Sequence, residues 1–442
     1  MGHDDAKRGG EARLARRVCV IGAGTSGLAA IRELMCAGHE VHAYEAGSAV
    51  GGMWRYENDN GLSGAYQSLT ANTSRKRMQY PSMPMPDSVP EYPSRSDMVA
   101  HLEAYARVND LLSHIDFGAW LQDARPSDDG WEVTIAGRAP QHFDALVIAS
   151  GHYWDPYIPE LPGRFEGMVM HARDYRTPEQ FSGRRVVVVG AGQSALDIVA
   201  EISSTAEQTI LSCRDGHHLA PRSVFGQPLD SFDTAAALFV PIPLIRAGIH
   251  AMIAIARATP DRGDLPKPNH KLFQSRWPVI VSPALQTALS ARAFQCRPRL
   301  EAFDGERVRF EDGSESQVDA ILFATGYRIN FPFLSARLGQ GNGWEFPLYR
   351  RILSPRASGL AFIGVLEPGP GLFEIVERQA TWLGEMLAGV LPIPDEQGMW
   401  KAIDAGGERR SRRQFATTGR HTILCSRHAY LRLLAKDLRT AR

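Results

Sequence analysis

The 442-residue sequence has few cysteines, no excess of charge of either sign and no long apolar run. Its five cysteines form no C-x-x-C pair, so neither a disulfide framework nor a zinc site is expected, and a reducing cytoplasm is favoured. The 49 basic and 49 acidic residues balance, which argues against nucleic acid or an anionic membrane surface as partners. We therefore expect no metal and a small-molecule partner.

Targeting segments and hydrolase motifs are also missing. Residues 1–17 are charged and lack the apolar core of a signal peptide, so a flexible leader is expected. The most apolar region, 235–256, is interrupted by prolines and charged residues, and it falls short of the roughly 20 apolar residues of a membrane anchor. We expect it to form a buried or substrate-lining helix. H-E-x-x-H, Walker and G-x-S-x-G motifs are absent, which argues against metalloproteases, P-loop proteins and serine hydrolases.

One strand–turn–helix–strand pattern occurs twice, starting near residues 17 and 184. The strands are predicted at 18–21 and 41–44 in the first copy, and at 186–189 and 209–212 in the second. Four consecutive valines at 186–189 are typical of a parallel strand that is buried on both faces. The pattern predicts an α/β fold with two Rossmann-like, three-layer dinucleotide-binding domains.

The first copy carries the glycine fingerprint Gly22-Ala23-Gly24-Thr25-Ser26-Gly27 between its strand and its helix. The first glycine permits a tight turn, the second lets a pyrophosphate reach the backbone, and the third lets helix and strand pack closely. Glu45 follows 23 positions after Gly22, where a carboxylate accepts hydrogen bonds from ribose hydroxyls and disfavours a 2′-phosphate. This copy is predicted to bind FAD.

The second copy carries Gly190-Ala191-Gly192-Gln193-Ser194-Ala195, with alanine in the third position. Its second strand ends in Ser212-Cys213-Arg214, without an acid. A guanidinium at Arg214 would bind a ribose 2′-phosphate bidentately and Ser212 would supply a hydroxyl, so NADPH is favoured over NADH. A solvated surface arginine is the alternative for Arg214.

Other motifs give the chain a resemblance to the flavin-containing monooxygenases, the class B single-component enzymes, over about 18–438. The stretch 165–175 matches the family pattern F-x-G-x-x-x-H-x-x-x-Y/F, with Phe165, Gly167, His171 and Tyr175 in the fixed positions. Gly51-Gly52-Met53-Trp54 is similar to the second flavin contact of the family. The turn 324–327, which contains Thr325 and Gly326, resembles its A-T-G-Y turn.

The resemblance implies a set of roles and a chemistry. Asn72, in the stretch 66–75, is expected beside the flavin and the nicotinamide as a neutral hydrogen-bond donor. NADPH would reduce FAD, O2 would form a C4a-hydroperoxyflavin, and an amine nitrogen or a sulfide would attack it. The residues expected at the cofactors are Gly22, Gly24, Ser26, Gly27, Glu45, Gly52, Trp54, Gly190, Gly192, Gln193, Ser194, Ser212, Arg214, Thr325 and Gly326.

Departures from the family keep alternatives open. Related Baeyer-Villiger enzymes usually show Trp-Pro where Tyr175-Arg176 stands here, so oxygenation of nitrogen or sulfur is favoured over oxidative C–C cleavage. An NADPH oxidase-like flavoprotein is the other alternative. The family often has proline where Ser74 stands and glycine where Ala195 stands. His171 is interpreted as a structural residue of the linker and the cysteines as core residues.

The domain order expected from these motifs has the NADPH unit inserted in the FAD unit. We expect the first part of the FAD domain at 18–170, the NADPH domain with a helical substrate-lining insertion at 171–318, and the rest of the FAD domain with C-terminal helices at 319–442. The substrate and the oligomeric state, monomer or homodimer, do not follow from the sequence.

Overall fold

Two five-stranded parallel sheets form the framework of the protein. The computed structural model describes residues 13–274, 277–341, 345–405 and 423–440. The strand order of the first sheet is Leu360–Phe362, Ala145–Ile148, Arg17–Ile21, Glu40–Tyr44 and Ile115–Asp116. The order of the second is Gln295–Arg297, Gln208–Ser212, Arg185–Val189, Ala320–Phe323 and Met168–His171. The predicted α/β class with two Rossmann-like units is confirmed.

The first sheet is the middle of three layers. Val18 and Val20 of its central strand belong to a core cluster with the helices Thr25–Cys36 and Leu372–Leu387. Cys19 and Ile21 point to the other face. An antiparallel sheet covers that face, with the strands Leu121–Ser127, Gly130–Ile135 and Gln141–Phe143. Both faces are buried, which explains why the strand is almost wholly apolar.

The second sheet repeats this arrangement. Val186 and Val188 pack in a cluster with the helices Gln193–Ile202 and Pro283–Ser290, while Val187 faces the opposite side. That side is covered by the antiparallel strands Leu300–Asp304, Arg307–Phe310 and Glu315–Gln317. The prediction of a valine strand that is buried on both faces is confirmed.

A carboxylate fixes the central strand of each sheet in the same way. Asp144 Oδ2 accepts a hydrogen bond from the Arg17 backbone N–H at 2.7 Å. Asp319 Oδ2 accepts one from the Arg185 N–H at 2.8 Å, and its other oxygen pairs with the Arg185 guanidinium at 2.6 Å. The guanidinium beside Asp319 lowers the pKa of that carboxyl to about 2. In each unit the acid is the residue directly before the neighbouring strand, Ala145–Ile148 or Ala320–Phe323. The same contact is therefore repeated in both units.

The remaining elements connect and cover these layers. The other helices are Arg95–Val108, Ile242–Ile255, Ala336–Gly339, Glu396–Asp404 and Arg427–Thr440. Short strand pairs join Leu219–Pro221 to Val279–Val281, Ser223–Val224 to Gln227–Pro228, and Asp155–Pro156 to Tyr327–Arg328.

The sheet pairing differs from the expected domain boundaries at 171 and 319. Met168–His171 and Ala320–Phe323 pair with each other and lie in the second sheet, not in the first. The chain therefore enters the second sheet a strand earlier, and leaves it a strand later, than the motifs suggested. The A-T-G-Y turn ends a strand of the second unit, since the apolar run before it pairs in parallel with the valine strand.

Three further expectations are corrected by the structure. Of the expected leader, residues 1–12 lie outside the described residues, but Leu14 donates its N–H to Ala388 O at 3.1 Å and Arg17 begins a strand, so 13–17 are part of the fold. For the region 235–256, the expectation of burial is wrong, because no side chain of Ile242–Ile255 is buried and Ile255 is 73% exposed, whereas Ile245, Ile249 and Ile253 of this helix line a cavity. Cys36 is exposed at its helix end and is not a core residue.

Within the described part of the chain, no helix is both long and apolar enough to cross a bilayer.

Candidate active site

The first glycine turn leaves the N-terminus of the helix Thr25–Cys36 open to a ligand. Gly22 has φ +102°, and a Cβ there would lie 2.8 Å from Ala149 O, so only glycine fits the turn. The N-cap residue is Gly24, and no side chain caps the helix. The first backbone N–H groups of the helix therefore remain available to an anion.

Two predicted residues serve close packing. A Cβ on Gly27 would lie 1.8 Å from Gly22 O, so this glycine lets the helix touch the turn, and it does not line the cavity at the turn. Gly52 has φ +53°, and its Cβ would come within 2.9 Å of Gly24 Cα. Gly52 and Trp54 belong to one short helical turn, Gly52–Trp54, that lies against the fingerprint and lines the cavity.

Glu45 lies at the end of the second strand, where the sequence predicts it. It is buried, its Oε2 accepts from the Ala23 N–H at 2.7 Å, and its Oε1 accepts from the Gly47 N–H at 2.7 Å. These bonds fix the carboxylate while it lines the cavity. Since each carboxylate oxygen accepts more than one hydrogen bond, the residue retains capacity for hydroxyl donors.

The second glycine turn has the same form with one difference. Gly190 has φ +132°, and a Cβ there would lie 2.5 Å from Ala324 O. Gly192 is the uncapped N-cap of Gln193–Ile202, and a Cβ built on it meets nothing within 4 Å. The space in front of this helix is thus open. Ala195 is fully buried, so the alanine in the third position is accommodated.

Gln193 and Asp197 organise the start of this helix. The Gln193 amide donates to Asp197 Oδ2 at 2.8 Å and to Ile280 O at 2.9 Å, and its Oε1 accepts from the Ile280 N–H. Because its side chain is bound to the protein, Gln193 offers a ligand its backbone N–H. Burial raises the pKa of Asp197 to about 6, although the hydrogen bonds from Gln193 and Ser282 oppose the rise. No motif in the sequence indicated this position of Asp197 at the cavity.

The two residues expected at a 2′-phosphate differ in availability. Ser212 is buried, and its hydroxyl donates to Pro298 O at 2.9 Å and accepts from the Leu300 N–H at 2.9 Å. The expected hydroxyl donor is therefore occupied in the fold. Arg214 is 69% exposed and pairs through Nε with Asp215 at 3.0 Å. Its terminal nitrogens bond to none of the described residues and remain free to bind an anion.

Asn72 lies in the loop 70–74 and lines the cavity. Its Oδ1 accepts a hydrogen bond from Thr73 Oγ1 at 3.0 Å. Its Nδ2 bonds to none of the described residues, and the side chain is exposed to the cavity. The acceptor end of the amide is thus fixed, while the donor end is available.

The turn after the strand Ala320–Phe323 is held by neighbouring backbone. Thr325 Oγ1 donates to Tyr157 O, and Gly326 O accepts from the Tyr157 N–H at 2.9 Å. His171 is buried, its Nδ1 accepts from the Arg173 N–H, and its Nε2 lies 3.0 Å from Gly326 O. Burial lowers the pKa of His171. Both ring nitrogens of His171 therefore lie at backbone groups, which is compatible with a structural role, and the residue also lines the cavity described below.

One cavity of about 2480 Å³ joins these features. With the exception of Gly27, every predicted site residue lines it. Its wall also includes residues of the region 221–293 for which no motif in the sequence indicated a role. These are Arg222, Asp230, Ile245, Ile249, Ile253, Phe273 and Trp277. Trp277 lies against Gly369, where a Cβ would come within 2.8 Å of the indole. Long-range contacts of this kind leave no sequence signal.

The residues present fit two dinucleotides. Each glycine turn presents an uncapped helix N-terminus to the same cavity, and the two second-strand ends differ in charge, with Glu45 in one unit and Arg214 in the other. A carboxylate suits ribose hydroxyls, and a guanidinium suits a 2′-phosphate. The donor sets therefore fit FAD at the first turn and NADPH at the second.

Comparisons with known proteins agree with this geometry. The family model of flavin-binding monooxygenase-like proteins matches residues 15–440. The N-oxide-forming dimethylaniline monooxygenase 2 of Rattus norvegicus is 31% identical over 420 residues, covering 90% of this chain and 78% of the relative.

Solved structures share the fold. S-allyl-L-cysteine S-oxygenase from Allium sativum superposes with a TM-score of 0.71 at 22% identity, covering 97% of this chain and 89% of that one. Cyclohexanone monooxygenase from Rhodococcus sp. Phi1 bound to NADP+ superposes with a TM-score of 0.66 at 16% identity, covering 97% and 98%. The chain belongs to the flavin-binding monooxygenase-like family and is an FAD- and NADPH-dependent monooxygenase.

Proposed function

We propose that the protein oxygenates a soft nucleophile, the amine nitrogen or the sulfide sulfur of a small molecule, at the expense of NADPH and O2. The observation that carries this proposal is the single cavity that both glycine turns and Asn72 line. The names of the relatives support it, since one forms N-oxides and another oxygenates sulfur. Nitrogen and sulfur attack an electrophilic oxygen with their own lone pairs, so the site needs no acid–base pair.

Each part of the site has a role in this proposal. When bound, FAD would supply the activation of O2 and NADPH the reducing equivalents. The helix N-termini at Gly24 and Gly192 bind the two pyrophosphates, Glu45 binds the FAD ribose, and Arg214 binds the 2′-phosphate of NADPH. The free Nδ2 of Asn72 donates a hydrogen bond beside the reacting atoms without adding charge.

The apolar wall of the cavity serves to exclude water. Ile245, Ile249 and Ile253 of the helix Ile242–Ile255 line the cavity at helical spacing. The substrate-lining role proposed for this region rests on that face alone, since Leu244 on another face is 61% exposed. A dry site favours transfer of oxygen to the substrate over release of peroxide.

The test is product analysis with the purified, FAD-loaded protein. NADPH consumption, hydrogen peroxide and product mass are measured with a tertiary amine, a sulfide and a cyclic ketone of similar size. We expect products of the amine or the sulfide that are heavier by one oxygen atom, in amounts close to the NADPH consumed. An ester or lactone from the ketone alone would favour Baeyer-Villiger chemistry instead. Peroxide equal to the NADPH consumed would favour an oxidase.

We also propose a cytoplasmic location. Cys213 is buried, and burial raises the pKa of its thiol to about 11, as expected for a thiol that stays reduced and unreactive. Fractionation of cells that express the protein at native level, with immunodetection, tests the location.

A further inference from the structure

A short hairpin in the region after the second fingerprint lies against the loop that carries Asn72. Its strands Ser223–Val224 and Gln227–Pro228 are antiparallel. The two turn residues, Phe225 and Gly226, have φ +52° and +73°, which is the pattern of a two-residue type I′ turn. Leu229 N–H donates to Arg222 O at 2.8 Å and closes the base of the hairpin.

The two ends of the hairpin hold the loop 70–74 on both sides of Asn72. Arg222 Nη2 donates to Thr70 Oγ1 at 3.0 Å. Asp230 Oδ2 accepts from the Ser74 backbone N–H at 2.7 Å. Since Asn72 lies midway between Thr70 and Ser74, the hairpin holds this loop at two points, through the Thr70 side chain and through the Ser74 backbone.

The bond from Ser74 requires a residue with a backbone N–H. Proline at this position would have no such donor. Ser74 has φ −64°, the value that proline itself adopts. Proline would therefore fit the backbone conformation at this position, but only a residue with a backbone N–H, such as serine, makes the hydrogen bond to Asp230.

Asp230 depends on this bond. The Oδ1 atom of Asp230 is buried and has no hydrogen-bond partner among the described residues. Among these residues, the Ser74 N–H is thus the donor that the carboxylate has. A poorly solvated carboxylate is costly unless it is hydrogen-bonded. The contact between the two residues is therefore stabilising for both segments.

The backbone of the hairpin is fixed to the same side of the cavity. Tyr92 OH donates to Arg222 O, and the Arg222 guanidinium lies 4.7 Å from the centre of the Tyr92 ring. Arg77 Nη2 donates to Asp230 O at 3.1 Å. The hairpin and the Asn72 loop consequently form one unit.

We propose that Asp230 and Arg222 are positioning residues that set the place of Asn72 through Ser74 and Thr70. The inference rests on the proposed function, in which Asn72 donates a hydrogen bond beside the reacting atoms. It also explains the departure at Ser74, since the serine N–H couples the substrate-lining region to this loop. Loss of the bond lets the Asn72 amide move, and reducing equivalents are then lost as hydrogen peroxide.

The test uses Asp230→Ala, Ser74→Pro and the double variant, with Asp230→Asn as the conservative variant. Asp87→Ala is the matched control, because Asp87 is a fully exposed carboxylate that pairs with Arg75 near the same loop. Hydrogen–deuterium exchange of the segment 70–76 in the FAD-loaded protein, without NADPH or substrate, reports on the loop. Product yield per NADPH and the KM for NADPH report on catalysis.

We expect Asp230→Ala and Ser74→Pro each to speed exchange of the remaining amides in 70–76 by about tenfold, as for loss of one charge-assisted hydrogen bond. The double variant should exceed neither, because both changes remove the same bond. Product yield per NADPH should fall severalfold while the KM for NADPH changes less than about twofold. Asp230→Asn, which keeps an acceptor oxygen, should stay near the wild type, as should Asp87→Ala.

Three results would overturn the inference: unchanged exchange in 70–76, additive effects in the double variant, or an equal loss of yield in Asp87→Ala. If Asp230→Ala fails to fold, Ser74→Pro and Asp230→Asn still decide the matter by exchange. A wild-type protein that makes no oxygenated product refutes the proposed function, whereas the exchange data independently test the contact.

Discussion

Replacing Gly192 with alanine should impair NADPH binding and leave the fold intact. A Cβ on Gly192 meets no atom within 4 Å, and its φ of −72° is open to any residue. Alanine restricts the unfolded chain, which stabilises by about 0.4–1 kcal/mol. It is a poorer N-cap than glycine by about 1 kcal/mol. These effects nearly cancel, so we expect the Tm to change by less than about 2 °C.

The effect on the cofactor should be much larger. The added methyl group projects into the open space before the helix Gln193–Ile202, where a pyrophosphate must approach the backbone. Losing one charge-assisted hydrogen bond costs about 1.5–3 kcal/mol. This corresponds to a KM for NADPH that is raised roughly 10- to 100-fold. Steady-state NADPH oxidation measures the KM, and the absorbance of bound flavin checks that FAD content is unchanged.

Gly27→Ala is the counterpart in the first unit. Its Cβ would lie 1.8 Å from Gly22 O, so the helix must move away from the turn by more than about 1 Å, and such overpacking costs about 1–3 kcal/mol or more. We expect a lower Tm and a loss of bound FAD. A Tm of Gly192→Ala as low as that of Gly27→Ala, or a wild-type KM for NADPH in Gly192→Ala, would contradict these expectations.

Further predictions concern cofactor choice, pH and the paired carboxylates. Arg214→Ala should raise the KM for NADPH at least tenfold more than the KM for NADH. Ser212→Ala should cost about 1 kcal/mol of stability and leave the ratio of the two KM values unchanged, because the Ser212 hydroxyl binds Pro298 and Leu300. The same ratio of KM values in both variants would contradict this prediction. Burial lowers the pKa of His101 from 6.5 to about 4, so the unfolded state takes up the proton first and the free energy of unfolding should fall as the pH drops from 6.5 to about 4. Chemical denaturation across this pH range should show a smaller fall for His101→Gln, and the same dependence of the unfolding free energy on pH in both proteins would contradict this. Asp319→Ala removes the contacts to Arg185, so it should lower the Tm and raise the KM for NADPH while the bound FAD is retained. Loss of bound FAD would contradict this, because it would mean that damage to the second sheet also disturbs the first.

Much of the fold follows from patterns that span a few residues. The four strands of the two βαβ units were predicted within one residue of their observed ends, because apolar runs beside a glycine turn depend on local geometry. The start of the helix Arg95–Val108 has a local cause as well, because the Ser94 side chain accepts a hydrogen bond from the Asp97 backbone N–H and caps the helix. The glycine positions followed from the same logic, since a turn with φ near +100° admits little else.

Other properties depend on residues far apart in the chain. Ser212 was expected at the cofactor, but Pro298 and Leu300, 86 and 88 positions away, occupy its hydroxyl. The apolar region 235–256 was expected to be buried or substrate-lining, yet it lines the cavity with one face and exposes another, because the amount of protein that covers a helix is set by its neighbours. Likewise, no periodicity indicates that Ala320–Phe323 joins the second sheet.

Local sequence patterns are enough to predict the two glycine turns, the acid that follows one and the arginine that follows the other, and the loop with Asn72 between them in the chain. Packing of the whole chain brings all of these residues to one cavity, and it places Asp230, 156 positions after Ser74, where it holds the Asn72 loop. The physical reason is the range of each interaction. Backbone conformation and side-chain periodicity are local, whereas the partner of a buried polar group is whichever residue the packed chain brings within hydrogen-bond distance.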